Sequence, residues 1–176
     1  MSGDFNISAL SHLGERELDG LCEVLTDCVE GGDSIGFMLP MTRAKAEAYW
    51  RAAAESAQRG ERVILLARDS LQSIVGTVSV VWAQPENQPH RADIAKMQVH
   101  RRARRQGVGA ALLEAAEAVA LEAGRTLLVL DTASADAERL YARQQWVRSG
   151  VIPNYALMPD GAYCSTTVFY KSLSVT

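Results

Sequence analysis

The sequence predicts a mixed α/β fold, in which a central sheet of roughly six to seven strands is flanked by about four helices. Three patterns lead to this fold class. Two segments with helical periodicity come first, an antiparallel hairpin follows, and a strand–helix–strand unit lies between Asp93 and Asp131. The hairpin requires antiparallel pairing, whereas the strand–helix–strand unit requires parallel pairing with a right-handed crossover. The predicted sheet is therefore mixed.

Apolar residues at helical spacing predict the first two helices. One spans residues 15–30 and the other residues 42–59, with Thr42 as the expected N-cap and Gly60 at the stop. The loop between them, residues 31–38, combines glycines with apolar side chains, and we expect it to fold over a ligand.

Runs rich in valine, isoleucine and leucine predict the strands that follow. The hairpin strands are 61–69 and 73–83. In the next strand, simple alternation puts Asp93, Ala95, Met97 and Val99 on one face and Ile94, Lys96 and Gln98 on the other. The remaining elements are a helix over 107–123, a strand over 125–132, a helix over 134–145 and strands near 146–152 and 163–172.

Length and composition predict one domain over residues 1–176, because 48% of the residues are hydrophobic and no segment resembles a linker. The N-terminus lacks the pattern of a signal peptide, and no apolar run approaches about eighteen residues, so a cytoplasmic protein without a membrane partner is expected.

The three cysteines show no CxxC spacing, which favours reduced, packed thiols over disulfides or a zinc site. No histidine is spaced for metal binding either. The net charge of −3 argues against a nucleic-acid partner, although positive charge is concentrated around residues 101–105. A monomer or a homodimer is compatible with this composition.

The most specific motif lies where the strand ending at Val99 meets the helix beginning near Gly107. Glycine allows backbone N–H groups to approach an anion closely, and a helix N-terminus carries partial positive charge. Four arginines add further charge, namely Arg101, Arg102, Arg104 and Arg105. The segment is therefore predicted to bind a pyrophosphate, and the simpler alternative is a glycine turn with a solvated basic rim.

Two other phosphate-binding motifs fit less well. Asp131 lies where the ribose-binding acid of a dinucleotide fold is expected, but Leu112 replaces the third glycine of that motif. Seven residues also separate Val99 from Gly107, where the dinucleotide turn needs its glycine at the strand end. No Gly-Lys-Ser/Thr follows, which excludes a Walker A loop.

Arg104, Gly107 and Gly109 match the pattern Gln/Arg-x-x-Gly-x-Gly/Ala, which resembles the acyl-CoA-binding motif of the GCN5-related N-acetyltransferase (GNAT) family. The resemblance implies the GNAT fold and acetyl-CoA as the cofactor. It also implies that the main chain of Met97 and Val99 contacts the pantetheine arm. The residues expected to bind acetyl-CoA are Met97, Val99, Arg104, Arg105, Gln106, Gly107, Val108, Gly109, Ala110 and Ser134.

A second segment of the family resemblance begins at Ser134, which stands where these enzymes usually carry asparagine. Ala137, Leu140 and Tyr141 match the family pattern that follows. Acetyl transfer releases a thiolate, and a phenol beside the sulfur is able to donate a proton as that charge develops. Tyr141 is thus expected to be catalytic, with a core tyrosine as the alternative.

The acceptor must lose a proton to attack a thioester, so a carboxylate near the central strands is the expected base. Asp131 follows an apolar strand, where an acid is costly unless it has a function or a partner. Asp93 enters the preceding strand. Both are candidate catalytic residues, and turn or cap acids are the alternative.

Within the family, the chain resembles most the branch of tabtoxin resistance proteins, through residues 31–38, 91–93, 130–132 and 153–161. That resemblance implies direct transfer of acetyl to a small β-lactam amino-acid toxin, with paired carboxylates at Asp93 and Asp131. The expected acceptor contacts are Asp33, Ser34, Phe37 and Tyr155, together with Trp82 and Tyr163. A different small polar acceptor is compatible with the same scaffold, and the alternative function is an inactive CoA- or nucleotide-binding regulatory module.

Overall fold

Seven strands form one sheet in the order β1-β2-β3-β4-β5-β7-β6, in a computed structural model that describes residues 5–174. The strands are β1 (Asn6–Ala9), β2 (Arg62–Arg68), β3 (Ile74–Trp82), β4 (Arg91–Val99), β5 (Leu127–Thr132), β6 (Val147–Leu157) and β7 (Tyr163–Ser172). The helices are α1 (Glu15–Glu30), α2 (Arg43–Gln58), α3 (Val108–Glu122) and α4 (Ala135–Arg143), and a short 3-10 turn spans Arg101–Ala103. The mixed α/β fold predicted from the sequence is confirmed.

The helices begin and end where local chemistry requires. The Thr42 side chain accepts a hydrogen bond from the Lys45 backbone N–H at 3.3 Å, which caps α2. Gly60 and Gly124 follow α2 and α3 with φ of +74°, a conformation that glycine adopts without strain. No helix within residues 5–174 has both the length and the apolar character needed to cross a membrane.

Two apolar cores lie on opposite faces of the sheet. On the first, here called the α1–α2 face, Ile64 and Leu66 pack against the buried side of α1 and against Trp50 of α2. On the second, the α3–α4 face, Leu128 and Leu130 pack against α3 and α4. β2 and β3 therefore present side chains to both helix pairs.

The two central strands separate after a short parallel ladder. β4 pairs with β5 only at Arg91–Leu127, Ala92–Leu128 and Asp93–Val129. Beyond that point β5 continues to pair with β7, while β4 pairs only with β3. The resulting gap between residues 95–99 of β4 and 130–132 of β5 is called the β4–β5 opening below.

A β-bulge in β4 changes the predicted alternation. Thr77 pairs with Gln98 and Ser79 pairs with Ala95, so Lys96 and Met97 together lie opposite the single residue Val78. After the bulge, the odd-numbered side chains of β4 lie on the opposite face of the sheet from the odd-numbered side chains before it. Asp93 and Ala95 therefore do not share a face with Met97 and Val99, which pack against the α3–α4 core, and the expectation of simple alternation was wrong.

Two further elements differ from the sequence prediction. Strand β1 was not among the predicted elements, because its four residues are too few for a clear alternating pattern. β6 extends to Leu157 rather than ending near residue 152, and its pairing with β7 is interrupted between Ile152 and Ala156. Pro153, which lacks a backbone donor, lies in that interruption.

Candidate active site

The β4–β5 opening exposes main-chain groups of β4. The His100 N–H donates to the Val75 carbonyl, so by the alternation of an antiparallel ladder the backbone groups of Val99 face away from β3 and toward the opening. The Val99 carbonyl accepts from Arg104 Nε at 3.0 Å. The Val99 N–H is the group left to contact a ligand, as predicted for the pantetheine arm. Met97, also predicted there, lies within the bulge.

The loop before α3 has the conformation of an anion site. Arg105 and Gly107 have φ of +62° and +90°, and a Cβ on Gly107 would meet nothing within 4 Å. The Ala111 N–H makes a helical bond to the Gly107 carbonyl at 3.0 Å, which leaves the N–H groups before it without a helical partner. These N–H groups, at the positive end of α3, form a cradle that fits a phosphate.

Three of the four arginines before this cradle form ion pairs within the chain. Arg101 pairs with Asp27 at 2.9 Å, Arg102 with Asp69 at 3.1 Å, and Arg104 with Asp33 at 2.6 Å. Arg105 is exposed and has no ion pair in the described part of the chain. The basic run therefore holds the loop in place, and Arg105 is the arginine most available to an anion.

The side chains of the remaining residues predicted to bind the cofactor mostly pack or bond within the chain. Val108 is buried in the α3–α4 core, and Gln106 Nε2 donates to the Arg102 carbonyl at 3.0 Å. Gly109 has a packing role, since a Cβ there would lie 3.0 Å from Leu140 Cδ2. Ala110 is half-buried in the first turn of α3. The glycines of the motif thus have different functions, a turn at one and close helix packing at the other.

The first residue of the second predicted segment caps a helix. Ser134 is the N-cap of α4, and its hydroxyl accepts from the Ala137 N–H at 3.3 Å. The Ser134 N–H donates to Thr132 Oγ1 at 3.1 Å. The serine therefore has a structural role in addition to any contact with a cofactor.

Tyr141 lies on α4 and is 4% exposed, with its ring against Trp146 and Phe169. Burial, together with the negative charge of Asp131, raises the pKa of its phenol to about 12. Tyr141 is thus a core residue by packing, and its hydroxyl is held in the protonated form.

Both predicted acids belong to the α1–α2 face of the sheet. Asp93 pairs with Val129, and Asp131 is two residues further along the same strand, so the two carboxylates share this face. Asp131 is exposed and accepts from Thr166 Oγ1 at 2.6 Å. Asp93 instead forms an ion pair with Arg91 at 2.5 Å. The two acids therefore differ in their partners, a cation for Asp93 and a neutral hydroxyl for Asp131.

The α1–α2 loop, residues 31–42, is attached to β6 and to the segment after it. Ser34 Oγ donates to the Leu157 carbonyl at 3.1 Å, and the Leu39 N–H donates to the Pro159 carbonyl at 3.1 Å. Phe37 packs edge to face on Tyr49, with ring centroids 5.4 Å apart. The predicted acceptor residues of this loop are therefore well ordered by their contacts.

The other predicted acceptor residues do not lie together around one site. Asp33 is engaged with Arg104, as described above, and Tyr155 lies on β6 with its ring 56% exposed. Tyr163 is more exposed still. Trp82 lies on the opposite face, packed against the α3–α4 core with Arg125 5.2 Å from its ring, so it does not line a site beside Asp131.

Several residues beside the two acids were not identified from the sequence. Lys96 lies on the α1–α2 face, 5.8 Å from the rings of both Phe37 and Tyr49. Burial lowers the pKa of its ammonium, Asp131 raises it and Arg62 lowers it further. A lysine flanked by Ala95 and Met97 in the middle of a central strand was the signal that could have identified it. Nothing in the sequence pattern distinguished Thr166 or Tyr49.

Comparison with known proteins agrees with this geometry. Residues 23–145 match the model of the acetyltransferase (GNAT) family. An N-acetyltransferase from Staphylococcus aureus Mu50 superposes with a TM-score of 0.80 at 16% identity, covering 98% of this chain and 100% of that one. A ribosomal-protein-alanine N-acetyltransferase from Brucella melitensis gives 0.77 at 21% identity, covering 96% and 99%.

A phosphinothricin acetyltransferase from Sinorhizobium meliloti, solved in complex with acetyl-CoA, superposes with a TM-score of 0.78 at 15% identity and covers 99% of this chain and 90% of that one. The family match extends over most of the chain and includes the β4–β5 opening, the glycine loop and α4. The chain belongs to the acetyltransferase (GNAT) family, whose enzymes take the acetyl group from acetyl-CoA.

Proposed function

We propose that this enzyme transfers acetyl from acetyl-CoA to the amino group of a small, amino-acid-like acceptor, in a ternary complex without a covalent acyl-enzyme. The observation that carries the proposal is that the negative charge of Asp131, at the end of β5 beside the β4–β5 opening, acts on the buried phenol of Tyr141. A proton acceptor and a proton donor coupled in this way suit a reaction in which an amine is deprotonated and a thiolate departs.

The main chain is proposed to bind the acetyl donor, acetyl-CoA. The N–H groups of residues 105–110 would bind the pyrophosphate, with Arg105 adding charge, and the main chain of Met97 and Val99 would bind the pantetheine arm. Acetyl-CoA supplies the acetyl group as an activated thioester. The space beside the Gly107 Cα is open, because a Cβ there would meet nothing within 4 Å, so a phosphate has room to approach the main chain.

The side chains at the opening are proposed to move protons. Asp131 would take the proton from the acceptor nitrogen as the new C–N bond forms, and Tyr141 Oη would give a proton to the sulfur as the C–S bond breaks. Asp93, whose charge is neutralised by Arg91, would have the lesser part in preparing the acceptor amine. The role of Tyr141 depends on a protonated phenol, which burial and the charge of Asp131 maintain.

The proposed acceptor class is amino-acid-like toxins, with tabtoxinine-β-lactam as the specific candidate. The resemblance to the tabtoxin resistance proteins suggests this acceptor class. One structural relative is named as a phosphinothricin acetyltransferase, and phosphinothricin is an amino-acid analogue. The free thiols at Cys22, Cys28 and Cys164 are consistent with action in the reducing cytoplasm.

Acetyl-CoA consumption tests the proposal directly. Release of the CoA thiol is measured with tabtoxinine-β-lactam, L-phosphinothricin, spermidine and an alanine-terminated peptide, using Asp131→Asn as the control for background hydrolysis. We expect turnover with at least one amino-acid toxin that Asp131→Asn loses. Tight acetyl-CoA binding in calorimetry, with no turnover of any acceptor, would instead indicate a regulatory CoA-binding module.

A further inference from the structure

The β4 bulge turns one lysine toward the acceptor side of the sheet. Lys96 has a φ of +52°, a left-handed conformation that is unfavourable for any residue with a Cβ. The extra residue brings Lys96 to the same face as its neighbour Ala95, which pairs with Ser79. Strand bulges often re-aim a side chain next to a functional site.

The ammonium of Lys96 is enclosed by aromatic rings and by the α1–α2 loop. Phe37 and Tyr49 each place a ring centroid 5.8 Å from Nζ. A Cβ on Gly36, whose φ is +92°, would lie 3.1 Å from Nζ, so the loop approaches the ammonium closely. The position of the charge is therefore fixed from several sides.

Lys96 differs from the other two lysines in lacking an anionic or carbonyl partner. Lys171 pairs with Glu117 at 2.6 Å, and Lys45 donates to the Met38 and Pro40 carbonyls at 3.1 and 2.8 Å. Within residues 5–174, no ion pair or hydrogen bond of the Lys96 ammonium is found. A half-buried cation without a partner destabilises a fold, which indicates a function for this one.

Unpaired polar groups lie beside the bulge on the same face. Ser79 Oγ and both amide atoms of Gln98 are buried without a hydrogen-bond partner, and their residues are 0% and 2% exposed. Buried polar atoms normally have partners. These atoms are closed off from solvent, so an internal water rather than the acceptor would meet their hydrogen bonds.

The charges left unpaired on this face are complementary to a zwitterion. Asp93 is neutralised by Arg91, while Asp131 accepts only from the neutral Thr166 hydroxyl. Asp131 is close enough to Lys96 to affect its titration. Arg62, which also acts on Lys96, donates to the Ser56 hydroxyl at 2.9 Å. Lys96 and Asp131 thus offer opposite charges, neither with a charged partner within residues 5–174, to a ligand that carries both.

We propose that Lys96 is the specificity-determining residue of the acceptor site, where its ammonium binds the carboxylate of a free amino acid whose amino group lies at Asp131. The inference rests on the proposed function and deepens it. An acceptor that lacks the carboxylate, such as a polyamine or an amino-acid amide, would leave Lys96 unpaired and would be repelled by it.

The test compares an acid with its amide in matched variants. Steady-state transfer is measured for tabtoxinine-β-lactam and its α-carboxamide with the wild type, Lys96→Met, Lys96→Arg and Lys45→Met. We expect Lys96→Met to raise KM for the acid at least about tenfold with kcat changed less, because a charge-assisted hydrogen bond is lost. The amide should be a poor acceptor for the wild type and no worse for Lys96→Met.

The control variants separate recognition from folding. Lys96→Arg should restore part of the acid preference, whereas Lys45→Met, which loosens the same loop, should alter acid and amide alike. Lys96→Met should also melt at the same temperature as the wild type or higher, since it removes an unpaired half-buried charge. A lower melting temperature with an unchanged ratio of acid to amide would make Lys96 a structural residue and overturn the proposal.

Binding without turnover distinguishes this inference from the proposed function. Calorimetry with tabtoxinine-β-lactam and CoA-saturated protein requires no chemistry. Binding that weakens at least about tenfold in Lys96→Met supports the carboxylate site even where no acetyl transfer is detected. Equal binding by the wild type and Lys96→Met, or no binding by either, overturns the carboxylate site whether or not other amines are acetylated.

Discussion

Arg104 and Asp33 form an ion pair with an N–O distance of 2.6 Å, which joins the loop before α3 to the α1–α2 loop. The same guanidinium donates to the Val99 carbonyl at 3.0 Å. One arginine of the cofactor motif therefore contacts a strand that borders the β4–β5 opening and a loop on the acceptor side. The loop before α3 and the α1–α2 loop are thus physically connected through this side chain.

A double-mutant cycle measures that connection. Both side chains are about one-third exposed, so Asp33→Asn and Arg104→Gln are each expected to cost about 0.5–1.5 kcal/mol in unfolding free energy. The double variant should lose less than the sum. Urea denaturation supplies the energies, and strictly additive losses would show that the pair has no coupling.

Reversal of charge in Arg104→Glu should in addition weaken acetyl-CoA binding at least about tenfold.

Substitution of the two motif glycines by alanine should affect different properties, acetyl-CoA binding at Gly107 and helix packing at Gly109. Gly107→Ala forces an alanine to a φ of +90° and should weaken acetyl-CoA binding in calorimetry, with a stability cost of about 1 kcal/mol. Gly109→Ala brings a Cβ to 3.0 Å from Leu140 and should lower the melting temperature by displacing α4. Shortening the neighbour in Gly109→Ala/Leu140→Ala should relieve the clash. If the stability losses of the two single substitutions simply add in the double variant, the packing role of Gly109 is wrong.

Tyr141→Phe should lower kcat at least about tenfold and leave acetyl-CoA affinity nearly unchanged, because the hydroxyl acts on charge that develops only as the sulfur departs. Its ring still packs on Phe169. Turnover equal to the wild type, where chemistry limits the rate, would leave Tyr141 with a core role only.

The raised pKa of Tyr141 also predicts an alkaline effect on stability. The folded phenol titrates at about 12, above the ordinary value of 10.0, so folding favours its protonated form. This contribution is present below pH 10 and is lost as the pH rises toward 12. Tyr141→Phe should therefore lose less stability than the wild type between these values, as measured by urea denaturation.

Asp131→Asn should lower kcat/KM at least about a hundredfold, and Asp93→Asn about tenfold or less, because Arg91 already neutralises Asp93. Loss of the Asp131 charge should also lower the pKa of Tyr141, measured by ultraviolet titration. Thr166→Val is the matched control, since it removes the 2.6 Å hydrogen bond and keeps the charge. A folded Asp131→Asn protein with full turnover would refute its assignment as the base.

Periodicity in the sequence was sufficient for most of the fold. The apolar stripe of α1, the Thr42 cap and the strand–helix–strand unit are local signals, and each lies where it was predicted. The bulge at Lys96 is different. The pattern of β4 shifts phase at the consecutive apolar residues Ile94 and Ala95, and only the pairing with β3 locates the extra residue.

The site was predictable where the main chain determines it and less so where side chains meet from distant segments. The glycine loop is one continuous motif, so its turn could be inferred from Gly107. The hydrogen bond from Thr166 to Asp131 joins residues 35 positions apart, and the contacts of Lys96 come from two other elements. Such contacts depend on tertiary packing, which periodicity does not describe.

The bulge at Lys96 has a consequence for how this enzyme could change its acceptor over evolutionary time. An added residue that is absorbed within a single strand leaves Asp93 paired with Val129 on one side and Val99 paired with Gly76 on the other. Substitution at that one position would exchange the chemistry presented to the acceptor and leave the donor loop untouched. Acceptor preference is thereby free to diverge among descendants while acetyl-CoA use is inherited unchanged.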